Sequence, residues 1–124
     1  MTSAESLFRR SDRYLASAQA LVEWGDFESA VSRSYYAMYF AARAALRTHA
    51  SEPRTHAGLV SEFARVLVKP GLVPREHLSA LGRALNDRLL AEYDEGLTFS
   101  REQAEAVRVS AVAFVDAMRT LLDV

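Results

Sequence analysis

Arg88, Glu92 and Tyr93 stand close together in the chain, with Asn86 just ahead of them. On a helix, Arg88 and Glu92 lie four residues apart and face the same way, so an ion pair worth about 0.2–0.5 kcal/mol is the plain reading. Asn86 and Tyr93 are seven apart and share a face near the end of the same segment. Arg88, Asn86 and Tyr93 together offer a planar cation and two hydrogen-bonding side chains, which is chemistry suited to holding phosphate. A structural ion pair with a capping tyrosine accounts for the same residues. A second set is Arg33, Tyr36, Phe40, Arg43 and Arg47, which steps 3, 4, 3, 4 and interleaves cations with rings. Exposed rings gain nothing from water, so this face is expected to meet another helix, another subunit or a nucleic acid. Arginines and rings together can hold single-stranded nucleic acid. A helix interface is the simpler of these readings, because a bundled helix leaves little room for bases.

Other chemistries are thinly represented. His49, His56 and His77 contain no pair at helical i, i+4 spacing and no recognisable metal-ligand pattern, so no metal site and no cofactor are expected. His56 reads as a helix-start residue, with general base as its other role. The chain has no cysteine, which excludes disulfides, thiolate metal sites and a cysteine nucleophile. Neither a Gly-x-Ser-x-Gly elbow nor a glycine-rich phosphate loop is present.

The elements that must position these residues are helices. A first helix is expected from Thr2 or Ser3 to Trp24, with Leu7, Tyr14, Ala18, Leu21 and Val22 inward and Trp24 a core or staple residue. Gly25 ends it and Asp26 caps the next. The second runs from Phe27 to about Ala50, with Ala30, Val31, Tyr35, Met38, Ala42, Ala45 and Leu46 as its core stripe. A third starts at Thr55 or His56 and carries Leu59, Val60, Phe63, Val66 and Leu67 to Lys69-Pro70-Gly71. A fourth follows Pro74 and carries Leu78, Leu81, Leu85 and Leu89 to about Tyr93. Ser100 and Gln103 have capping-box spacing and open the last helix, which ends near Leu122. Nothing alternates with strand period. The expectation is a single domain over residues 1–124, an all-α up-and-down bundle of about five helices.

With 124 residues the chain can build one real core. Its formal net charge of −1 argues against a broadly basic nucleic-acid coat. Lys69 is the one lysine; every other basic residue is arginine, a bias that suits phosphate or carboxylate recognition and that genome base composition explains equally well. Met1 to Arg10 hold no apolar run of the kind a secretory leader needs. The run Tyr35 to Ala42 falls far short of the ~20 residues that cross a bilayer. A soluble, cytoplasmic protein without membrane association is expected.

Taken together, Ala30-x-x-Arg33-x-Tyr35-Tyr36-Ala37-Met38-Tyr39, His56 at the third helix start and Arg88-x-x-x-Glu92-Tyr93 resemble the HEPN superfamily (higher eukaryotes and prokaryotes nucleotide-binding), in particular its small stand-alone bacterial and archaeal members. The last motif is similar to an Arg-x-x-x-Asp-Tyr signature, with Glu92 in place of the aspartate. The resemblance spans nearly the whole chain. It implies a helical bundle, a homodimer with the motif-bearing helices near the interface, and a toxin–antitoxin or defence setting beside a nucleotidyltransferase-type partner. It also implies binding of RNA or a nucleotide and metal-independent endoribonuclease activity. On this resemblance Arg88 and Tyr93 are the expected catalytic residues, and Asn86, Glu92, Arg33, Tyr36 and His56 the expected binding residues. Active family ribonucleases carry a histidine shortly after the arginine; Tyr93 and Asp94 stand there instead, and the fourth helix has no histidine after Arg88. Arg88 retains the chemistry to bind phosphate and stabilise developing charge. Tyr93, with an ordinary pKa of ~10, is a weak base at neutral pH. The alternative is a non-catalytic dimeric interaction protein, or one that holds nucleotide for a separate transferase.

Overall fold

The computed structural model describes residues 3–123; Met1, Thr2 and Val124, and with them a helix start at Thr2, lie outside the described residues. The chain forms α1 (Ala4–Trp24), α2 (Phe27–Arg47), α3 (His56–Phe63), α4 (Arg75–Tyr93) and α5 (Arg101–Leu122). Among the described residues there is no strand, and the fold is an all-α bundle.

Local chemistry sets the boundaries. Ser3 caps α1 by accepting the Ser6 N–H at 3.1 Å. Gly25 closes α1 at φ +97°, a left-handed conformation that side chains resist, and donates its N–H to the Leu21 and Val22 carbonyls. Asp26 caps α2 at once, so α1 and α2 fold back as an antiparallel hairpin. Thr55 caps α3, and Ser100 with Gln103 completes the capping box of α5.

The second helix is the centre of the bundle and packs against each of the other four. Its whole expected stripe, Ala30, Val31, Tyr35, Met38, Ala42, Ala45 and Leu46, is buried. Ala37, Ala41 and Ala44 are buried too, and these small side chains let neighbouring helices approach closely. The Ser11 hydroxyl crosses the α1–α2 seam and donates to the Ala37 carbonyl at 2.8 Å. Phe8, Phe63 and Phe114 carry the core across α1, α3 and α5. Among the described residues no helix is long and apolar enough to cross a membrane.

Four expectations change. First, α2 ends at Arg47 rather than near Ala50. The Ser51 N–H turns back to the Leu46 carbonyl, and Ala50 takes φ +57°. Second, the third helix does not stay regular: after Phe63, residues Ala64–Val68 are π-helical, with the Lys69 N–H reaching the Ala64 carbonyl. That one-residue bulge, locally underwound, re-phases the end of the segment, leaving Leu67 buried and Val66 half-buried. Third, Trp24 is 85% exposed. It lies two residues beyond the buried Val22, about 200° around the helix, and so falls on the outer side. Fourth, Leu89 is exposed. The inward line of α4 runs Leu81, Ala84, Arg88, Ala91 at helical spacing, and Leu89 falls to one side of it.

Candidate functional site

An arginine therefore occupies a core-facing position on α4. The Arg88 side chain is only 11% exposed. A cation placed there must be compensated, because burying an unpaired charge is costly. Three groups do this. Glu92, one turn on, takes the Nε and Nη2 edge of the guanidinium through both carboxylate oxygens, at 3.3 and 3.1 Å. Tyr36 lies under the guanidinium, 5.1 Å from its carbon to the ring centroid, and Tyr35 is next at 5.8 Å. From α2, Ser32 donates its hydroxyl to Glu92 at 2.6 Å, which holds the carboxylate in place from the opposite helix. Among the described residues no hydrogen bond occupies Nη1.

His56 enters the same cluster from the first residue of α3. Its ring stands 4.9 Å from Tyr39, 5.5 Å from Tyr35 and 5.8 Å from Tyr36, centroid to centroid. The Tyr35 hydroxyl shares a 2.7 Å hydrogen bond with Nδ1. Burial of the Tyr35 phenol pushes its pKa well above the ordinary value, so this hydroxyl stays protonated. Burial also lowers the His56 pKa below 6.5; the Arg88 charge lowers it further, and Glu92 opposes both. His56 is thus a neutral imidazole at pH 7, fixed at one nitrogen, with Nε2 as its remaining polar atom. α3 thus brings to the tyrosine cluster a histidine that α4 does not carry after Arg88.

The other expected residues divide. Glu92, Tyr36 and His56 join Arg88. Arg33 is exposed, its guanidinium 4.9 Å from the Tyr14 ring centroid on α1, and it borders an open cleft of about 370 Å³ with Ser32, Glu28 and Glu92. Asn86 and Tyr93 lie on the outer side of α4, away from the inward line that carries Arg88. Tyr93 is 72% exposed and lines a separate shallow depression with Leu89, Leu90 and Asp94. The aromatic–arginine stripe of α2 meets α1 of its own chain: Tyr14 packs edge-on against Phe40 at 5.2 Å, and Arg10 covers the other part of that ring.

Ser32, Tyr35 and Tyr39 complete the cluster beyond the expected catalytic and binding residues. For Tyr35 the signal lies in the core stripe itself, which in a helix ordinarily carries aliphatic residues, since a buried phenol needs a partner; Tyr39 follows from the tyrosine run. Ser32 gave no such signal, since its partner is on α4, sixty residues away.

A five-helix bundle with an arginine sunk into its seam beside an imidazole defines a class of helical domain, and the comparisons identify the class. The HEPN domain model matches residues 4–121, and the chain belongs to the HEPN family. Two proteins of Methanocaldococcus jannaschii, each named "putative toxin", are similar to it. One is 30% identical over 82% of this chain and 69% of its own length, the other 29% identical over 95% and 87%. A UPF0332 protein of Gloeobacter violaceus is 31% identical over 88% of this chain and 86% of its own.

Proposed function

We propose that this HEPN protein is the toxin-type component of a two-protein module and acts on single-stranded RNA at the Arg88–His56 site. The observation that carries the reading is the inward placement of Arg88, with one edge of its fork held by Glu92 and a neutral imidazole alongside. The free edge is suited to a phosphodiester oxygen, and a guanidinium there stabilises charge as it develops on phosphorus. His56 Nε2 is the proton-transfer atom. In the tautomer whose Nδ1–H donates to the Tyr35 oxygen, Nε2 is bare and takes the proton of the RNA 2′-hydroxyl, whose oxygen bonds to phosphorus as the bond to the 5′ oxygen breaks. The departing 5′ oxygen takes up a proton from solvent water, leaving a 2′,3′-cyclic phosphate and a 5′-hydroxyl. A nucleotidyltransferase-type partner and a homodimer belong to this proposal by family relationship. The exposed Leu89, Leu90 and Tyr93 offer apolar surface for the latter.

The test is cleavage of end-labelled single-stranded RNA in EDTA by wild type, Arg88→Ala and His56→Gln. Loss of cleavage in both variants, each still folded by circular dichroism, supports the reading. If Arg88→Ala melts the helices, Arg88 is a structural residue and the site assignment fails. One observation favours a second reading, a domain that holds nucleotide for a separate transferase: Glu92 already engages half of the Arg88 fork, which suits binding more than turnover. RNA or nucleotide bound through Arg88 without cleavage selects that reading.

A further inference from the structure

Beyond the Arg88–His56 site, a second cationic concavity opens at the C-terminal end of α2. Arg43, Arg47, Ser51, Glu52, Pro53 and Arg54 enclose a pocket of about 300 Å³, three guanidinium groups against one carboxylate. Arg47 pairs with Glu52 at 2.8 Å, which uses up that carboxylate. Arg43 and Arg54 have no ion pair among the described residues, and Arg43 is held only by lying 5.6 Å from the Tyr39 ring centroid. On a chain with net charge −1, this is a local concentration of positive charge in a concave surface.

Its position relative to the first site is defined by Tyr39. That ring touches His56 and is also the ring over which Arg43 lies. One aromatic surface therefore runs from Arg88 and Tyr36, past His56 and Tyr39, to Arg43 and the pocket. Tyr36 and Arg47 are eleven residues apart on one straight helix, roughly 16 Å at 1.5 Å per residue. Successive phosphates of an extended single strand are roughly 6 Å apart, so the span corresponds to about two or three nucleotides. Arginine forks recognise phosphate oxygens through paired N–H groups, and a half-buried tyrosine between two cations is a platform on which a base can stack.

We propose that the Arg43–Arg54 pocket is a second phosphate subsite, which takes the backbone of the same RNA strand about two or three nucleotides from the phosphate at Arg88. This rests on the RNA reading of the Arg88 site and adds to it a length requirement: a dinucleotide fills only the first site, and a strand of about five nucleotides fills both.

The experiment compares affinities for non-cleavable 2′-O-methyl oligoribonucleotides of two, five and eight residues, for wild type and Arg43→Gln/Arg54→Gln. The wild type is expected to gain about tenfold or more between the two-mer and the five-mer and little thereafter, and the variant to lose that gain while binding the two-mer as before. Single variants guard against misfolding of the double one. Five-mer binding equal to two-mer binding in the wild type, or a length gain that survives in the variant, overturns the second subsite and leaves the Arg88 reading standing. Two-mer binding lost together with the gain makes these arginines part of the first site and equally overturns the proposal. Wild type that binds no RNA at any length sinks both readings.

Discussion

Arg88 and His56 each change the other's chemistry, and the coupling can be measured without RNA. Burial is the main cause of the low His56 pKa, with Arg88 adding to it and Glu92 opposing it. The two neighbours can therefore be separated by sign. In a ¹H–¹⁵N imidazole titration the midpoint of His56 is expected below 6.5. Arg88→Gln should raise it and Glu92→Gln should lower it further. Equal midpoints in all three proteins would mean that His56 does not sense the guanidinium and that the two residues do not form one site. The same shift has a stability consequence. With the folded pKa below the unfolded one, the unfolded chain takes up the proton first, so His56 withdraws stability as the pH falls below 6.5 and has no effect above it. Cleavage that depends on a neutral imidazole follows the same limb and rises with pH through the folded midpoint.

At the scale of elements, the start of α3 decides where His56 points. Gly58 donates its N–H to the Thr55 hydroxyl at 2.9 Å, the cap that opens the helix one residue before His56. A Cβ on Gly58 would come within 2.8 Å of that same hydroxyl oxygen. Gly58→Ala is therefore expected to push the cap aside, at a cost of about 1 kcal/mol in urea unfolding, and to broaden or move the His56 signals; Gly82→Ala, with open space at its Cβ, serves as the control. A stabilised Gly58→Ala with unmoved His56 signals would contradict this. The other end of the loop is tied by Glu62, which accepts from Ser51 at 2.7 Å and from Arg65. The hydrogen bonds from Arg65 and then Ser51 draw its pKa down to about 2. A carboxylate depressed in the folded state stabilises it above the unfolded pKa and loses that contribution as pH falls, so acid destabilisation between about 4.5 and 2 should be smaller in Glu62→Gln. The helices, their caps and the stripe of α2 were legible in the sequence because they depend on local spacing. Arg88 at a core position was not recognised, because Leu78, Leu81, Leu85 and Leu89 suggest a different phase for α4 from the one that packing selects. Apolar residues on two sides of a helix leave its rotation open, and only the packing of the neighbouring α2, α3 and α5 settles it. Likewise the meeting of His56 with Arg88 depends on how α3 crosses α2, which no residue spacing within either segment records.

For the whole molecule, the charge distribution decides which partner the surface can hold. The net charge of −1 gives no long-range attraction for a polyanion, so on the proposed RNA reading affinity has to come from a few arginines at defined places. Counterion release makes this countable: for single strands, the logarithm of affinity falls with the logarithm of salt at a slope of about −0.7 for each phosphate neutralised. A two-residue RNA held by Arg88 alone should give a slope near −0.7, and a five-residue RNA that also fills the Arg43–Arg54 subsite a slope near −1.4. A fully basic surface would give a much steeper dependence and would not distinguish the two lengths. Self-association through Leu89, Leu90 and Tyr93 would behave in the opposite way, since burial of apolar surface persists or strengthens with salt. Sedimentation and RNA affinity measured across the same salt series should therefore diverge, with the assembly unchanged while the RNA dissociates. If RNA binding proves as indifferent to salt as the assembly, phosphate is not what Arg88 recognises, and the buried guanidinium is holding helices together rather than a ligand.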